Sequence, residues 1–330
     1  MGGRALKHVG VERKSAPEYF EIAKDVSKLA EAFAERKAVI PAYAEKESFG
    51  DLDILVVVKP SVANLKETLQ KVFNPQDIVH NDKCWSLDYK NLQVDVITSS
   101  PELFDIALHY YSYNDLNNLV GRVAHKQGLK YGHQGLILPV KFKDTYLADE
   151  IELSTDPKAI YEFLGYDYER FQKGFNNLEE IFQYVTKSPF FNKEAFAWEN
   201  QNHINRTRNR KRPTFQQFTQ WLDERPELPS FQYNEDKSEY ITNALKHFNC
   251  MDKYEAVMAD MKKREEAKAK FGGELVTQLT GLEKKELGMF IATFKKQFSD
   301  TKAFEAWLLA TPQEDINAKI LEAHQPDISI

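Results

Sequence analysis

The sequence predicts an α+β protein, with a small mixed β-sheet in its first hundred residues and a largely helical remainder. Between residues 50 and 98, short runs rich in β-branched residues are bounded by Gly, Pro and Asn, a pattern typical of strands. Beyond about residue 100 the pattern is mainly helical. Since 330 residues are enough for two or three packed units, we expect three parts: residues 1–100, 101–170 and 171–330.

The first predicted element is an amphipathic helix over residues 17–36. Its apolar residues recur at three- and four-residue steps, and they are Tyr19, Ile22, Val26, Leu29 and Phe33. Ser15 can cap this helix, and Pro17 suits its first turn. A short apolar run follows at Val39 and Ile40.

A buried strand is predicted next, over residues 50–58, because its second half consists of β-branched and other apolar residues. Pro60 ends this strand, and Ser61 is expected to begin a second helix that runs to about Phe73. Two further strands are predicted at Cys84–Tyr89 and Leu92–Thr98, with Lys90 and Asn91 as a tight turn between them.

The rest of the chain is predicted to be helical, with one interruption. Gly128, Gly132 and Gly135 break the helical pattern, and Pro139–Leu153 could form a small hairpin. Beyond Phe171 almost every segment has helical periodicity. Thr214 is the expected cap of one of these helices. An aromatic stripe follows at helical spacing, with Phe215, Phe218, Trp221 and Leu222. Such a stripe is typical of a helix face that packs in the core.

Bulk properties exclude several classes of protein. No apolar run approaches the roughly 20 residues that cross a bilayer, and the first residues lack the apolar stretch of a signal peptide. Cys84 and Cys250 are too few for a disulfide framework, so we expect a cytoplasmic protein without a membrane partner. The net charge of −6 argues against a general nucleic-acid coat but permits a local basic stripe. Oligomeric state stays open.

Three aspartates form the candidate catalytic site. Because successive side chains of a strand alternate faces, Asp51 and Asp53 point to one side while Leu52 points to the core. Asp95 lies on another predicted strand, and three acids on one side of a sheet repel unless cations neutralise them. Two Mg²⁺ ions, with Mn²⁺ as a substitute, fit such oxygen ligands and could activate a hydroxyl and neutralise a leaving pyrophosphate. An Asp-x-Asp at a strand start is common by itself; the order of the elements around it is more informative.

Short motifs follow one another in a fixed order along the chain. They are Glu47-Ser48-Phe49-Gly50-Asp51-Leu52-Asp53-Ile54-Leu55, Val94-Asp95-Val96, residues 109–115, residues 122–129, Gly135-Leu136 and residues 160–166. In this order they resemble the DNA polymerase β superfamily, and specifically its family X polymerases, over roughly residues 37–170. The resemblance implies a nucleotidyltransferase palm and fingers, as in the minimal viral members, before an all-α C-terminal domain.

The resemblance also implies roles for individual residues. Asp51, Asp53 and Asp95 would be the catalytic metal ligands, with Tyr110 and Tyr111 against the nucleotide's sugar. The nucleotide-binding set is Lys46, Ser48, Gly50, Tyr110, Tyr111, Asp115, Asn118 and Arg122. Asp115, Asn118 and Arg122 would contact the base pair or template. Together with Lys126 they lie on one polar stripe of a predicted helix. The alternative is that this stripe is an ordinary solvated helix face. The family's Gly-Ser, which holds the triphosphate at a helix N-terminus, is missing, so Lys46 is the candidate for phosphate charge.

A basic run in the C-terminal half is the candidate nucleic-acid contact. Five cations lie within seven residues: Arg206, Arg208, Arg210, Lys211 and Arg212. Adjacent cations repel one another and are typical of a surface that binds a polyanion. The segment around Phe271–Gly288 is faintly similar to a part of tRNA nucleotidyltransferases, whose helical C-terminal units hold an RNA end. Lys262–Lys270 is more typical of a solvated helix face.

These observations lead to one main functional hypothesis. The protein would transfer a nucleoside monophosphate from an NTP or dNTP to a nucleic-acid 3′ end, with pyrophosphate as the other product. Template-independent addition to tRNA or other RNA ends is one alternative, and transfer of AMP to a protein or small molecule is another. A catalytically inactive nucleic-acid-binding module is a third, against which the three intact aspartates argue. The nucleotide sugar, the use of a template and the acceptor stay open.

Overall fold

The computed structural model of the chain describes residues 5–142 and 146–324, and it is an α+β structure with a mixed sheet and a helical C-terminal region. The described residues fall into two compact units, one within residues 1–140 and 150–250 and the other within residues 141–149 and 251–330. The predicted division at residues 100 and 170 stays a prediction.

The described strands are β1 (Lys14–Ser15), β2 (Ala34–Val39), β3 (Ser48–Phe49), β4 (Asp51–Val58), β5 (Ile78–Asn81), β6 (Cys84–Tyr89), β7 (Leu92–Thr98), β8 (Lys130–Gly132), β9 (Gly135–Phe142) and β10 (Tyr146–Ser154). The helices of the first unit are α1 (Ala16–Ala30), α2 (Leu65–Phe73), α3 (Phe104–Tyr111), α4 (Leu116–Lys126), α5 (Pro157–Phe163), α6 (Tyr168–Gln172), α7 (Leu178–Thr186), α8 (His203–Asn209), α9 (Pro213–Asp223) and α10 (Ser238–His247). Those of the second are α11 (Met251–Lys270), α12 (Gly273–Thr280), α13 (Lys284–Lys295), α14 (Thr301–Ala310) and α15 (Gln313–His324).

The central sheet has five strands in the order β2-β4-β7-β6-β5. β4 and β7 are parallel, and the other neighbouring pairs are antiparallel. One face is buried against α1 and α2, through side chains that include Leu52, Ile54, Val94, Val96, Val26 and Leu69. On the other face, Leu55 and Val57 pack against Phe104 and Ala107 of α3. This packing covers the distal half of β4 and leaves its acidic start uncovered.

The strand predictions are confirmed, and three helix boundaries are wrong. β4, β6 and β7 agree with the predicted runs, and the turn residues Lys90 and Asn91 have positive φ angles of 50° and 59°. The first helix ends at Ala30 instead of residue 36, because residues 34–39 pair with β4 as an edge strand. Phe33, placed in the helical stripe by periodicity, is fully buried in the turn between them.

The second helix begins at Leu65 instead of Ser61. Asn64 is its N-cap, and the Asn64 side chain accepts a hydrogen bond from the Glu67 backbone N–H at 3.2 Å. A side-chain acceptor at this position satisfies a backbone N–H that has no partner within the helix. Residues 61–64 are therefore a connection.

The predicted hairpin is confirmed and belongs to a larger sheet. It starts at Gly135 rather than Pro139, and β8 adds a third strand in the order β10-β9-β8. Gly135 has a φ of 107°, and a Cβ atom there would lie 2.3 Å from the Ser154 carbonyl oxygen. This close approach of two backbones explains a glycine at the start of the strand.

The aromatic stripe of α9 is a core face, as predicted, since Phe215, Phe218, Trp221 and Leu222 are all buried. Thr214 is not the cap of this helix. The helix starts one residue earlier at Pro213, and Arg212 is the N-cap residue. A proline suits the first helical position because its missing N–H would have no partner there.

The second unit has its own apolar core, formed by Ala267, Phe271, Val276, Phe294, Phe304, Leu308, Ile316 and Ile320. The charged segment Lys262–Lys270 lies on α11 and is mostly exposed, apart from Ala267. Lys270 donates to the carbonyl oxygens of Leu308 and Thr311 at 3.0 and 2.9 Å, near the end of α14. Within residues 5–142 and 146–324 no helix is long and apolar enough to cross a bilayer, and Cys84 and Cys250 are free.

Candidate active site

Three carboxylates meet at the uncovered end of the central sheet. In the parallel register of β4 and β7, Asp53 lies opposite Asp95 and Asp51 lies opposite Gln93. One carboxylate oxygen of each aspartate lies within 4.8 Å of those of the other two. The sequence prediction that Asp51, Asp53 and Asp95 share one side of a sheet is confirmed, and together they can hold a metal ion.

Hydrogen bonds fix one of the three carboxylates. The Gln93 side-chain amide donates to both oxygens of Asp95, at 2.9 and 3.0 Å, and its own oxygen accepts from the Ala5 backbone N–H at 2.9 Å. Ser86, opposite Asp95 in the antiparallel pair of β6 and β7, is also hydrogen-bonded to it. The side-chain carboxylates of Asp51 and Asp53 have no hydrogen bond or ion pair within the described chain, so their oxygens are available to a ligand.

Burial and mutual repulsion make the site a poor place for uncompensated negative charge. Burial raises the pKa of Asp53, and the neighbouring Asp51 and Asp95 raise it further. Burial also raises the pKa of Asp95, although the hydrogen bonds from Ser86 and Gln93 oppose the change. Both shifts disfavour the ionised carboxylates, and a divalent cation bound by them would act in the opposite direction.

Lys46 is a cation in the cleft whose charge acts on Asp53. Its ammonium lies 4.5 Å from the centre of the Phe49 ring. Burial lowers the pKa of Lys46, while Asp51 and Asp53 act in the opposite direction. Phe49 in turn stacks on Tyr19, with ring centroids 3.7 Å apart, which holds this wall of the site in place.

The aspartates open into a cleft of about 1290 Å³. Asp51 and Asp53 line it directly, and Asp95 lies beside them. Seven of the eight residues predicted to bind nucleotide line this cleft: Lys46, Ser48, Gly50, Tyr110, Tyr111, Asp115 and Asn118. Four of the five residues predicted to bind nucleic acid line it as well: Arg208, Arg210, Lys211 and Arg212. A space of this size and mixed charge is large enough for a nucleotide and part of an acceptor.

Models of known protein families give no match to this chain, and no curated protein matches it. Assignment of a function therefore depends on the geometry and chemistry of the cleft.

Two tyrosines form an aromatic wall of the cleft. Tyr111 stacks on His133, with ring centroids 5.8 Å apart and an angle of 14° between the planes. Tyr110 packs edge-on against Tyr131 at 5.4 Å. Burial raises the pKa of Tyr111 to about 12, so its hydroxyl is neutral at physiological pH. The wall offers a planar, uncharged surface to a sugar or base.

Asp115 and Asn118 enter the cleft from the start of α4. The Asp115 carboxylate pairs with the Arg212 guanidinium at 2.6 Å. The side-chain nitrogen of Asn118 is buried and has no hydrogen-bond partner within the described residues. A buried amide without a partner loses its hydration without compensation, so this N–H group is a donor available to a bound ligand.

Arg122 and Arg206 do not line the cleft. The Arg122 guanidinium donates to the Ala195 carbonyl oxygen at 3.3 Å and lies 5.3 Å from the centre of the Phe215 ring. These contacts join α4 to the neighbouring helices, which is a packing role. Arg206 instead lies with Arg210, Trp198 and Glu199 around a separate shallow depression.

Arg13 is a cleft residue that the sequence analysis missed. Its guanidinium donates to the Ser48 carbonyl oxygen at 2.8 Å and to the Ser48 hydroxyl at 3.0 Å. These bonds connect β1 to β3 just before the first aspartate. No local pattern around Arg13 indicates this position, because it depends on the pairing of β1 with β3, in the register Lys14–Phe49 and Ser15–Ser48.

Proposed function

We propose that this protein is a metal-dependent nucleotidyltransferase that moves a nucleoside monophosphate from an NTP or dNTP to a nucleic-acid 3′ end. The observation that carries the proposal is the cluster of Asp51, Asp53 and Asp95 on two parallel strands, open to a large cleft. The ordered motifs that resemble the DNA polymerase β superfamily, with its palm and fingers, point to the same chemistry.

The donor set suits hard divalent cations. Three carboxylates offer oxygen ligands only, and Mg²⁺ prefers such ligands while it retains waters and bridges phosphates. Asp51 and Asp53, which have no protein partner in the described chain, would hold two ions together with Asp95. Ions bound there neutralise phosphate charge and lower the pKa of an attacking hydroxyl. Mg²⁺ is the expected cofactor, with Mn²⁺ as a substitute.

The protein side chains would contribute position and charge. Gln93 and Ser86 hold the Asp95 carboxylate in one orientation, and a fixed ligand lowers the reorganisation needed in the reaction. Tyr110 and Tyr111 would lie against the sugar of the incoming nucleotide and set its orientation. Catalysis of phosphoryl-type transfer depends mainly on such positioning and on electrostatic stabilisation.

A second candidate acceptor follows from the position of the basic run. Arg208, Arg210, Lys211 and Arg212 line the catalytic cleft itself, where a nucleotide's phosphates can satisfy them without a polymer. Transfer of AMP to a protein or small molecule is therefore the second candidate function. Template-independent addition to an RNA end uses the same donor site and differs only in the acceptor.

The test is an incubation of the full-length protein with each labelled NTP and dNTP, Mg²⁺ and three acceptors: single-stranded, primed and tRNA. We expect label on at least one acceptor, released pyrophosphate in equal amount, and loss of both in Asp95→Asn. Asp25→Asn is the matched control, since Asp25 is exposed and paired with Lys90 on α1's outer surface. Transfer by Asp95→Asn at the wild-type rate, or no transfer with any nucleotide, would overturn the proposal.

A further inference from the structure

Four cations form one segment at the α8–α9 connection, which we call the cationic arm: Arg208, Arg210, Lys211 and Arg212. All four line the cleft that contains Asp51 and Asp53. Arg206 belongs to the same basic run in the sequence but lies outside the cleft. Arg210 lines both the cleft and the shallow depression at Arg206, so the run changes direction at this residue.

The arm is anchored on both sides. At its start, the Asn209 amide is buried and donates to the Gln201 side-chain oxygen at 2.7 Å, and Gln201 donates to the Phe196 carbonyl oxygen at 3.0 Å. After it, α9 begins with a proline and is fixed by the fully buried Phe215 and Phe218. The backbone that carries the cations is thus part of a packed structure, and the cations can be presented to a ligand with little loss of backbone entropy.

The positive charge of the arm is mostly uncompensated. Arg212 pairs with Asp115, whereas Arg208, Arg210 and Lys211 form no ion pair anywhere in residues 5–142 and 146–324. The charges of Arg208 and Arg212 also act on Arg122, whose pKa is lowered mainly by burial and further by these two neighbours. Like charges held this close favour a bound anion that neutralises them.

We infer that the cationic arm binds the β- and γ-phosphates of the nucleotide substrate, and not the backbone of a polynucleotide. The inference rests on the proposed function, because that function supplies a triphosphate at the aspartates. Four of the five cations of the run line the cleft, and Arg206 does not, so a ligand that ends within the cleft meets the arm without Arg206. A triphosphate ends within the cleft, where guanidinium groups can bind its oxygens in pairs.

Asp115 and Asn118 fit the same ligand. The Asp115 carboxylate holds Arg212 in the cleft, and the neighbouring Asn118 side chain has a buried N–H group without a partner. Phosphate or sugar oxygens are acceptors for such a donor. The arm and the start of α4 thus form one candidate polyanion site, in which Asp115 is the one carboxylate that pairs with the arm among the described residues.

The experiment measures the affinity of the full chain for inorganic tripolyphosphate, ATP, AMP and a single-stranded oligonucleotide by calorimetry, with Mg²⁺ present. The arm variant is Arg208→Gln with Lys211→Gln, and the matched control is Arg206→Gln. All three side chains are exposed, so thermal unfolding should be unchanged in both variants. We expect the arm variant to lose roughly tenfold or more in affinity for tripolyphosphate and ATP, with AMP and oligonucleotide affinity close to wild type. The control should bind all four probes as the wild type does.

Other outcomes separate this inference from the proposed function. Loss of oligonucleotide affinity with unchanged tripolyphosphate affinity would overturn the inference and return the arm to the acceptor. If nucleotide transfer needs Asp95, but the arm variant has the wild-type KM for NTP, the inference is overturned and the proposed function is left intact. If the arm variant loses tripolyphosphate binding, but the wild type transfers no nucleotide, the inference is supported and the proposed function fails. A wild type that does not bind tripolyphosphate would overturn the inference.

Discussion

Substitution of Asp53 by Asn should stabilise the metal-free protein. The carboxylate oxygens of the three aspartates lie within 4.8 Å of one another, and two unit charges about 5 Å apart repel by roughly 3 kcal/mol at an effective dielectric constant of about 20. Burial and the neighbouring Asp51 and Asp95 raise the pKa of Asp53, which is the direction that this repulsion predicts. We therefore expect the neutral amide to raise the free energy of unfolding by about 1–3 kcal/mol at pH 7.

Thermal unfolding in EDTA and in Mg²⁺ measures both the repulsion and the metal site. For a domain of this size about 1 kcal/mol corresponds to roughly 2–4 °C in Tm, so Asp53→Asn should melt several degrees above wild type in EDTA. Mg²⁺ at about ten times its dissociation constant should stabilise the wild type by roughly 1.4 kcal/mol through mass action. The Asn variant should gain much less, because it lacks one of the three metal ligands.

Asp25→Asn controls for the change in net charge, since it removes one exposed carboxylate that pairs with Lys90. It should respond to Mg²⁺ as the wild type does and change in Tm by little, because exposed ion pairs contribute about 0–1 kcal/mol. An Asp53→Asn protein that is less stable than wild type in EDTA, and that gains equally from Mg²⁺, would refute the reasoning. The three carboxylates would then be neither mutually repulsive nor the metal site.

The remaining predictions concern pH and three cleft-side residues. Since the pKa values of Asp53 and Asp95 are raised, these two groups bind more protons in the folded protein than in the unfolded chain, and their contribution to stability should fall as pH rises from about 4 through the raised values. Urea titrations in EDTA should therefore show a smaller fall for Asp53→Asn than for wild type, and identical profiles contradict this. Arg122→Ala should lower the free energy of unfolding by roughly 1–2 kcal/mol, through loss of its contacts with Phe215 and Ala195, while the KM for NTP stays near wild type; the reverse result would place Arg122 in the nucleotide site. Asn118→Ala should leave stability unchanged and raise that KM, as steady-state kinetics would show, because Asn118 lines the cleft and its side-chain nitrogen has no hydrogen-bond partner among the described residues. Tyr111→Ala should change the ratio of kcat/KM for ribo- and deoxynucleotides, and an unchanged ratio would remove the tyrosine from the sugar site.

Local sequence patterns were sufficient where local forces decide the structure. The β-branched run after Asp53, and the Lys90-Asn91 turn with its positive φ angles, express preferences of the backbone within a few residues. The same holds for Asp51 and Asp53, whose common face follows from the two-residue period of a strand. That Asp95 joins them depends on the parallel pairing of β4 and β7, which no local pattern indicates.

Boundaries were less predictable where tertiary pairing competes with local preference. Periodicity extended the first helix through Phe33, but residues 34–39 form hydrogen bonds with β4 at the edge of the sheet. An edge strand satisfies these backbone groups and buries Phe33, which a longer helix would not do. Helical propensity, at a few tenths of a kcal/mol per residue, is too small to oppose this gain.

The sequence by itself determined the fold class, the strands around the aspartates and the presence of a basic run. Only the tertiary structure decided which residues share the cleft. Arg208 and Arg212 lie more than 150 residues from Asp53 in the sequence, and Arg13 reaches the same cleft through pairing of β1 with β3. Arg122, by contrast, is held against Phe215. Such placements result from the packing of distant elements into one core, whose free energy depends on the whole set of contacts and leaves no signal in any short segment.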